Sequence, residues 1–206
     1  QGVLPDYTEN LEALPYYMAA IEAIDYQIGE LLKGIPEEEL ENTIIIFVGD
    51  NGTPGQVAQS PYSRNTAKGS IYQGGVNVPL FVTGKGVGRS GVDDNLITGT
   101  DLFSTIAEIA GVNTTAIHDS KSFKSLLTNS GTHRSYQYTE MVDGTSDLWA
   151  ISDGDFKLIV SANGHEEFYN LTSDPYENND LSTGTLTNNE ANAKAELEAA
   201  LLVIRN

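Results

Sequence analysis

The sequence predicts an α/β chain: part of a mostly parallel sheet with flanking helices, followed by a small antiparallel sheet and a closing helix. Three observations carry this. Ile44-Ile45-Ile46-Phe47-Val48 is apolar at every position, as suits a strand covered on both faces in a parallel sheet. Helix-spaced apolar residues precede and follow it. After residue 135 the pattern changes to short runs separated by Asp-Gly and Asn-Gly, the signature of an antiparallel meander. The domain assignment is therefore 1–134 for the α/β portion and 135–206 for the antiparallel subdomain.

The elements follow in order. Residues 1–14 are polar and read as an incoming loop. Pro15 suits the first turn of a helix over 16–33, whose Tyr17, Ala20, Ile21, Ile24, Ile28, Leu31 and Leu32 mark one buried face. Asp25 lies beside that face as a surface or capping group. Gly34 ends the helix, and Pro36 opens a short acidic turn. The strand 44–48 comes next and ends in Gly49-Asp50-Asn51-Gly52.

Asp50 and Asn51 would stand at the carboxyl end of that strand, where ligand groups collect in open α/β sheets. Both offer hard oxygen donors of the kind Ca²⁺ or Mg²⁺ prefers. A tight hairpin is the competing reading of Asp-Asn-Gly. The residues that follow, 53–61, hold two prolines and no alternation, so they read as a loop.

Beyond the loop, Lys68 precedes the pair Gly74-Gly75, whose missing side chains allow positive φ or a close backbone approach. A second apolar strand spans 78–82, and 84–95 is a glycine-rich surface loop. A helix spans 98–112, capped by Thr100 or Asp101, with Leu102, Ile106 and Ile109 on one face and Gly111 at its end. Residues 113–134 form a connector with a short helix. Strands are expected over 136–141, 148–152, 156–160 and 167–169, with hairpin turns at Asp153-Gly154 and Asn163-Gly164. An alanine-rich amphipathic helix over 188–204 closes the chain.

The 206 residues carry a formal net charge of −18 and no cysteine, which excludes disulfides, zinc–thiolate sites and a thiol nucleophile within them. Such charge argues against nucleic acid as a partner, and no run is long enough for a membrane span. The charge is uneven. Residues 43–92 hold one acid, Asp50, and four bases, Arg64, Lys68, Lys85 and Arg89. A positive block around a candidate cation site suits a small anionic substrate; a chance cluster is the bland account. The absence of cysteine fits a periplasmic or a cytoplasmic bacterial protein equally.

The motifs together resemble one family. They are Tyr17-x₃-Ile21-x₂-Ile24-Asp25-x₂-Ile28-Gly29, then Asn42-Thr43-Ile44-Ile45-Ile46-Phe47-x₂-Asp50-Asn51-Gly52, then Lys68-Gly69-x₂-Tyr72-x-Gly74-Gly75-Val76-x-Val78-Pro79. Asp101-Leu102-Phe103-x-Thr105-Ile106-x₃-Ala110-Gly111 and His118-Asp119-x₂-Ser122 continue the series. Gly154-Asp155-Phe156-Lys157-Leu158-Ile159 and Tyr169-Asn170-Leu171-x₂-Asp174-Pro175-x-Glu177-x₂-Asp180-Leu181 complete it. In this order they look like the second half of the sulfatases of the alkaline phosphatase superfamily.

The resemblance implies a sulfuric ester hydrolase with a Ca²⁺ site, or Mg²⁺ in its place, acting on a sulfated small molecule or carbohydrate. It also implies a periplasmic or extracellular location. Asp50 and Asn51 match the family's second pair of metal ligands, and Lys68 matches its sulfate-binding lysine. Superfamily phosphatases commonly carry histidine at the position of Asn51, so asparagine favours a single hard cation. Gln73 stands where the family often has glutamate. The family's nucleophile is a formylglycine made in a Cys/Ser-x-Pro/Ala-x-Arg motif, and these residues contain none.

His118, His133 and His165 match no catalytic position; His118 reads as a surface or supporting group, and Arg64 as a solvated loop arginine. The chain is thus expected to be the C-terminal portion of such an enzyme, inactive alone and inclined to self-associate. The alternatives are a phosphonate or phosphodiester hydrolase of the same superfamily, or a non-catalytic remnant acting as a binding module.

Overall fold

A computed structural model describes residues 5, 6, 8, 12–112, 117–142, 144 and 146–205. Backbone contacts divide the chain into two compact units, Gln1–Lys85 and Gly86–Asn206. This division falls upstream of residue 134, where the sequence pattern changes. The reason is local: Leu96 bridges Arg134, and Arg134 is bound to Asp101, so the connector belongs with the helix before it.

The first unit holds helix α1 (Leu14–Gly34), the one-turn α2 (Glu37–Leu40), strand β1 (Ile44–Val48), the one-turn α3 (Gln73–Val76) and strand β2 (Leu80–Gly84). Pro15 lies in the first turn of α1 and Gly34 is its last residue, as the sequence indicates. The expected parallel arrangement is absent among the described residues. β1 and β2 run antiparallel, with Ile44 opposite Gly84 and Val48 opposite Leu80. They are not a tight hairpin either, because residues 49–79 intervene.

The burial expected of these elements is also absent. No residue of α1 is buried; Met18, Ile21, Ile24, Tyr26 and Leu31 are all exposed, Leu31 by 66%. Phe47, Val48 and Phe81 are exposed too, although Phe47 and Phe81 pack with ring centroids 6.0 Å apart. Two strands cannot cover two faces, and each keeps one unpaired edge. An apolar helix face and an open two-stranded sheet favour association. The chain expressed by itself should show concentration-dependent dimers or larger species in sedimentation velocity; a single monomeric species up to about 100 μM, well above the low-micromolar range where such surfaces act, contradicts this.

The second unit begins with α4 (Asp101–Ile109). Of its expected apolar face, Leu102 and Ile109 are half-buried, and only Ile106 is exposed. Phe103 and Ile106 are exposed, while Asp101, Ser104 and Thr105 are buried. Hydrogen bonds from the following segment explain this. Thr105 Oγ1 donates to the Asp101 carbonyl at 2.7 Å and accepts from the Phe123 amide at 3.0 Å. Ser120 Oγ accepts from the Ser104 amide at 3.2 Å.

Asp101 is the hub of this unit. Its carboxylate accepts from the Thr98 and Lys121 amides, from His133 Nε2 at 3.1 Å and from both Nε and Nη2 of Arg134. Burial alone would raise its pKa, but the hydrogen bonds from Arg134, Thr98, Lys121 and His133 together hold it far below the usual carboxylate range.

The meander is β3 (Gln137–Met141), β4 (Leu148–Ser152), β5 (Phe156–Ser161) and β6 (Glu166–Asn170), paired antiparallel in sequence order. The turns at Gly154 and Gly164 have φ of 99° and 85°, which only glycine adopts without strain. Alternate residues of β5 serve two faces. Phe156 and Leu158 join Ile151, Phe168, Leu197 and Leu201 in the core beneath α5 (Asn188–Arg205). Each such side chain contributes about 1.5–3 kcal/mol on burial. Lys157, next on the strand, is itself buried and bonds Glu177 at 2.6 Å. Burial lowers the Lys157 pKa, and the Glu177 carboxylate opposes that shift.

Candidate active site

The site candidates lie on the excursion between β1 and β2. Gly49 leaves the strand with its amide donating to the Pro79 carbonyl at 2.9 Å, so the chain still follows the entry to β2 when it reaches Asp50. Asn51 Nδ2 donates to Asp50 Oδ2 at 2.7 Å. This sets the two side chains next to each other, and Asp50 is exposed. The remaining oxygens, Asp50 Oδ1 and Asn51 Oδ1, have no protein partner among the described residues. A carboxylate oxygen beside a carboxamide oxygen is a fitting, partial donor set for one hard cation. No group of three His, Cys, Asp or Glu side chains capable of holding a metal occurs among the described residues.

Two backbone hydrogen bonds bring Lys68 to this loop. The Gly52 amide donates to the Gly75 carbonyl at 3.1 Å, and the Lys68 amide donates to the Thr53 carbonyl at 2.9 Å. Lys68 is thus anchored two residues beyond Asn51. Its side chain is exposed, while nearby Ala67 and Ile71 are only 1% exposed and hold the segment down. A single turn of 3₁₀ helix over Arg64–Thr66 leads into it, closed by a reciprocal capping box between Ser63 and Thr66.

The glycines here act through space. A Cβ on Gly52 would lie 1.9 Å from the Gly74 carbonyl oxygen, one on Gly74 2.3 Å from the Thr66 oxygen, and one on Gly75 2.2 Å from the Ser70 oxygen. None of the three has a positive φ. The close approach expected for Gly74 and Gly75 is therefore found, and Gly52 joins them.

The positive block does not converge on the site. Lys85 Nζ donates to Asn42 Oδ1, next to the start of β1 and at the opposite end of the strand from Asp50. Arg89 belongs to the second unit, where it bonds Asp93 and the carbonyls of Leu126 and Asn129. Arg64 and Lys68 alone share the excursion with Asp50 and Asn51. His118 is exposed at φ 50°, and His165 is 66% exposed at its side chain, 4.0 Å from Glu167. His133, which the sequence placed in a loop without a role, is buried against Asp101 and Phe123.

Sequence reasoning missed two supports of the site, Gly52 as a contact and the Ser63–Thr66 box. The Ser-x-x-Thr spacing could have signalled the second. Nothing in a linear pattern signals the first.

Comparison with known proteins agrees with the motif order. A family profile described as Sulfatase matches residues 2–112, and one described as N-sulphoglucosamine sulphohydrolase, C-terminal, matches residues 65–205. An arylsulfatase of Clostridium perfringens is 30% identical over 168 residues, covering 78% of this chain and 34% of that protein. The chain spans about a third of the length of the curated relatives it matches first. A structure solved with its substrate D-glucosamine-2-N,6-O-disulfate superposes with a TM-score of 0.74 at 25% identity, covering 92% of this chain and 39% of that one. A Pseudoalteromonas sulfatase gives a TM-score of 0.66 at 22% identity, over 92% of this chain and 42% of that one. No helix among the described residues is long and apolar enough to cross a membrane. With one profile covering the first half and another most of the remainder, the chain belongs to the sulfatase family.

Proposed function

We propose that this chain supplies one part of the active site of a sulfuric ester hydrolase. Asp50 and Asn51 are two ligands of a single Ca²⁺, or of Mg²⁺, and Lys68 binds the sulfate. What carries the reading is that two backbone hydrogen bonds, Gly52 to Gly75 and Lys68 to Thr53, gather these three positions on one excursion. When bound, the cation supplies positive charge against the sulfate oxygens. Lys68 contributes a second positive charge on the same group, held in place before reaction. The formylglycine nucleophile comes from a part of the protein outside these residues.

In this reading β1 and β2 are members of a wider, mostly parallel sheet. Residues 1–134 are this chain's share of the α/β domain, and 135–206 are the appended subdomain. The exposure of Phe47, Val48, Phe81 and the apolar positions of α1 supports it, since all of them are surfaces that such a sheet and its helices cover. The substrate is a sulfated sugar or small molecule, as the disulfated glucosamine in the similar structure suggests by its chemistry. The protein acts in the periplasm or outside the cell.

The test is an assay of the intact protein on an aryl sulfate and on a phosphodiester, with chelator and with added Ca²⁺. Sulfate ester turnover that disappears with chelator and returns with Ca²⁺ is expected, and Asp50→Ala should raise the Ca²⁺ concentration needed. Two protein ligands are few for an ion that takes six to eight oxygens, so this chain alone should bind Ca²⁺ only at about the millimolar level. Tight stoichiometric binding by calorimetry that survives Asp50→Ala overturns the metal assignment.

A further inference from the structure

The Asp50–Asn51 pair and Lys68 sit on separate segments that meet through the backbone. The contact plane is unusually close. The Gly52 Cα faces the Gly74 carbonyl so tightly that a methyl group there would stand 1.9 Å from the oxygen, and Gly74 in turn faces the Thr66 carbonyl. Thr66 closes the capping box that ends one residue before the buried Ala67, and Lys68 follows. A continuous stack of backbone thus runs from the end of the Asp50–Asn51 loop, through Gly74, to the turn that presents Lys68.

We propose that Gly52, Gly74 and Thr66 are positioning residues that set the separation between the cation pair and Lys68; the inference rests on the reading of those three side chains as one reaction site. Conformational freedom is not what the two glycines provide. Gly69, nearby, is at φ 84° with nothing within 4 Å of its Cβ direction, so it is required for its dihedral alone. Gly52 and Gly74 have ordinary φ and no room, so they are required for spacing. A methyl on Gly52 forces the two backbones apart by roughly 1 Å or more, and misplacement of that size is worth about a hundredfold in rate. Thr66 acts more gently: losing its hydroxyl opens the Ser63 box and loosens the turn ahead of Lys68.

The experiment is a set of double-mutant cycles in the intact protein on an aryl sulfate. Gly52→Ala and Thr66→Val are each measured with Lys68 and with Lys68→Ala, and Gly99→Ala, at an exposed loop position that meets nothing within 4 Å, is the control. Gly52→Ala should lower kcat by about a hundredfold and Thr66→Val by about tenfold, with KM changed less than kcat. In the Lys68→Ala background both losses should shrink to about threefold or less, because the group they displace is gone. Gly99→Ala should be neutral in both.

Equal losses in both backgrounds, while Lys68→Ala itself impairs turnover, overturn the positioning role and leave the site reading intact. A Lys68→Ala protein with unimpaired turnover defeats the site reading and the inference with it. If Gly52→Ala does not fold, Thr66→Val decides alone, since a single cap costs only a small part of the protein's stability.

Discussion

In the intact protein, Lys68→Ala should lower kcat/KM for a sulfate ester by about two orders of magnitude or more, the usual cost of removing a group aimed at developing charge. Lys85→Ala should change it by less than about threefold. Both lysines come from the same positive stretch of sequence, and a general electrostatic field would make them equivalent. Their placement makes them different. Lys68 is anchored to Thr53 beside Asp50 and Asn51, whereas Lys85 is tied to Asn42 before the other end of β1. Five strand residues separate the ends, roughly 14 Å at the rise of an extended chain. That exceeds the screening length of about 10 Å at 0.1 M salt, so Lys85 contributes little at the site. Equal losses from the two substitutions, read from initial rates at fixed ionic strength, would show that Lys68 has no special position.

Asp101→Ala should destabilise the second unit by about 3–5 kcal/mol, the range for removing one partner of a buried ion pair. Arg134 and His133 would lose their carboxylate, and the Thr98 and Lys121 amides would lose their acceptor. Asp101→Asn should fall between, since an amide oxygen still accepts while the charge is gone. The pH dependence has a definite sign. The folded-state pKa of Asp101 lies below its unfolded value near 3.8, so its stabilisation is complete above that pH. It is lost only as pH falls from about 4 through the much lower folded value. Thermal melts at pH 7 and near pH 3 check this: the gap between wild type and Asp101→Ala should be widest at pH 7. Indistinguishable melting temperatures at neutral pH would mean that the cluster is incidental.

Much of the local structure was legible in the chain. Pro15 and Gly34 bracket α1, the apolar run 44–48 is β1 residue for residue, and both glycine turns of the meander stand where Asp153-Gly154 and Asn163-Gly164 put them. These features depend on dihedral preference and on periodicity, which act within a few residues. Asp50 and Asn51 were named as oxygen donors at the end of a strand, and Lys68 from the ordered series of motifs. What drew the three together was not legible, because the contact of Gly52 with Gly74 links residues far apart in the chain through atoms that every residue has.

The errors share a cause. Apolar spacing on α1 indicated a buried face, yet α1 buries none of its residues; on α4 the apolar face is only partly covered, and the fully buried residues are Asp101, Ser104 and Thr105. Periodicity states which face can be buried; what covers it is decided by other segments. On α4 the hydrogen-bonding groups of 117–134 claimed the polar face, and in the first unit no described segment covers the apolar one.

The sequence by itself thus determined the long helices, the first strand and the meander with its turns, the family and the three residues to test, since each follows from short-range sterics or from an ordered series of motifs. It missed the short helical turns Arg64–Thr66 and Gln73–Val76 and set the second strand two residues early. The tertiary structure alone decided that β1 and β2 run antiparallel, that Lys85 and Arg89 are committed elsewhere, and that Asp101 gathers His133 and Arg134. Those outcomes depend on which distant backbone and side-chain groups satisfy one another, a competition among non-local hydrogen bonds that no spacing along the chain encodes.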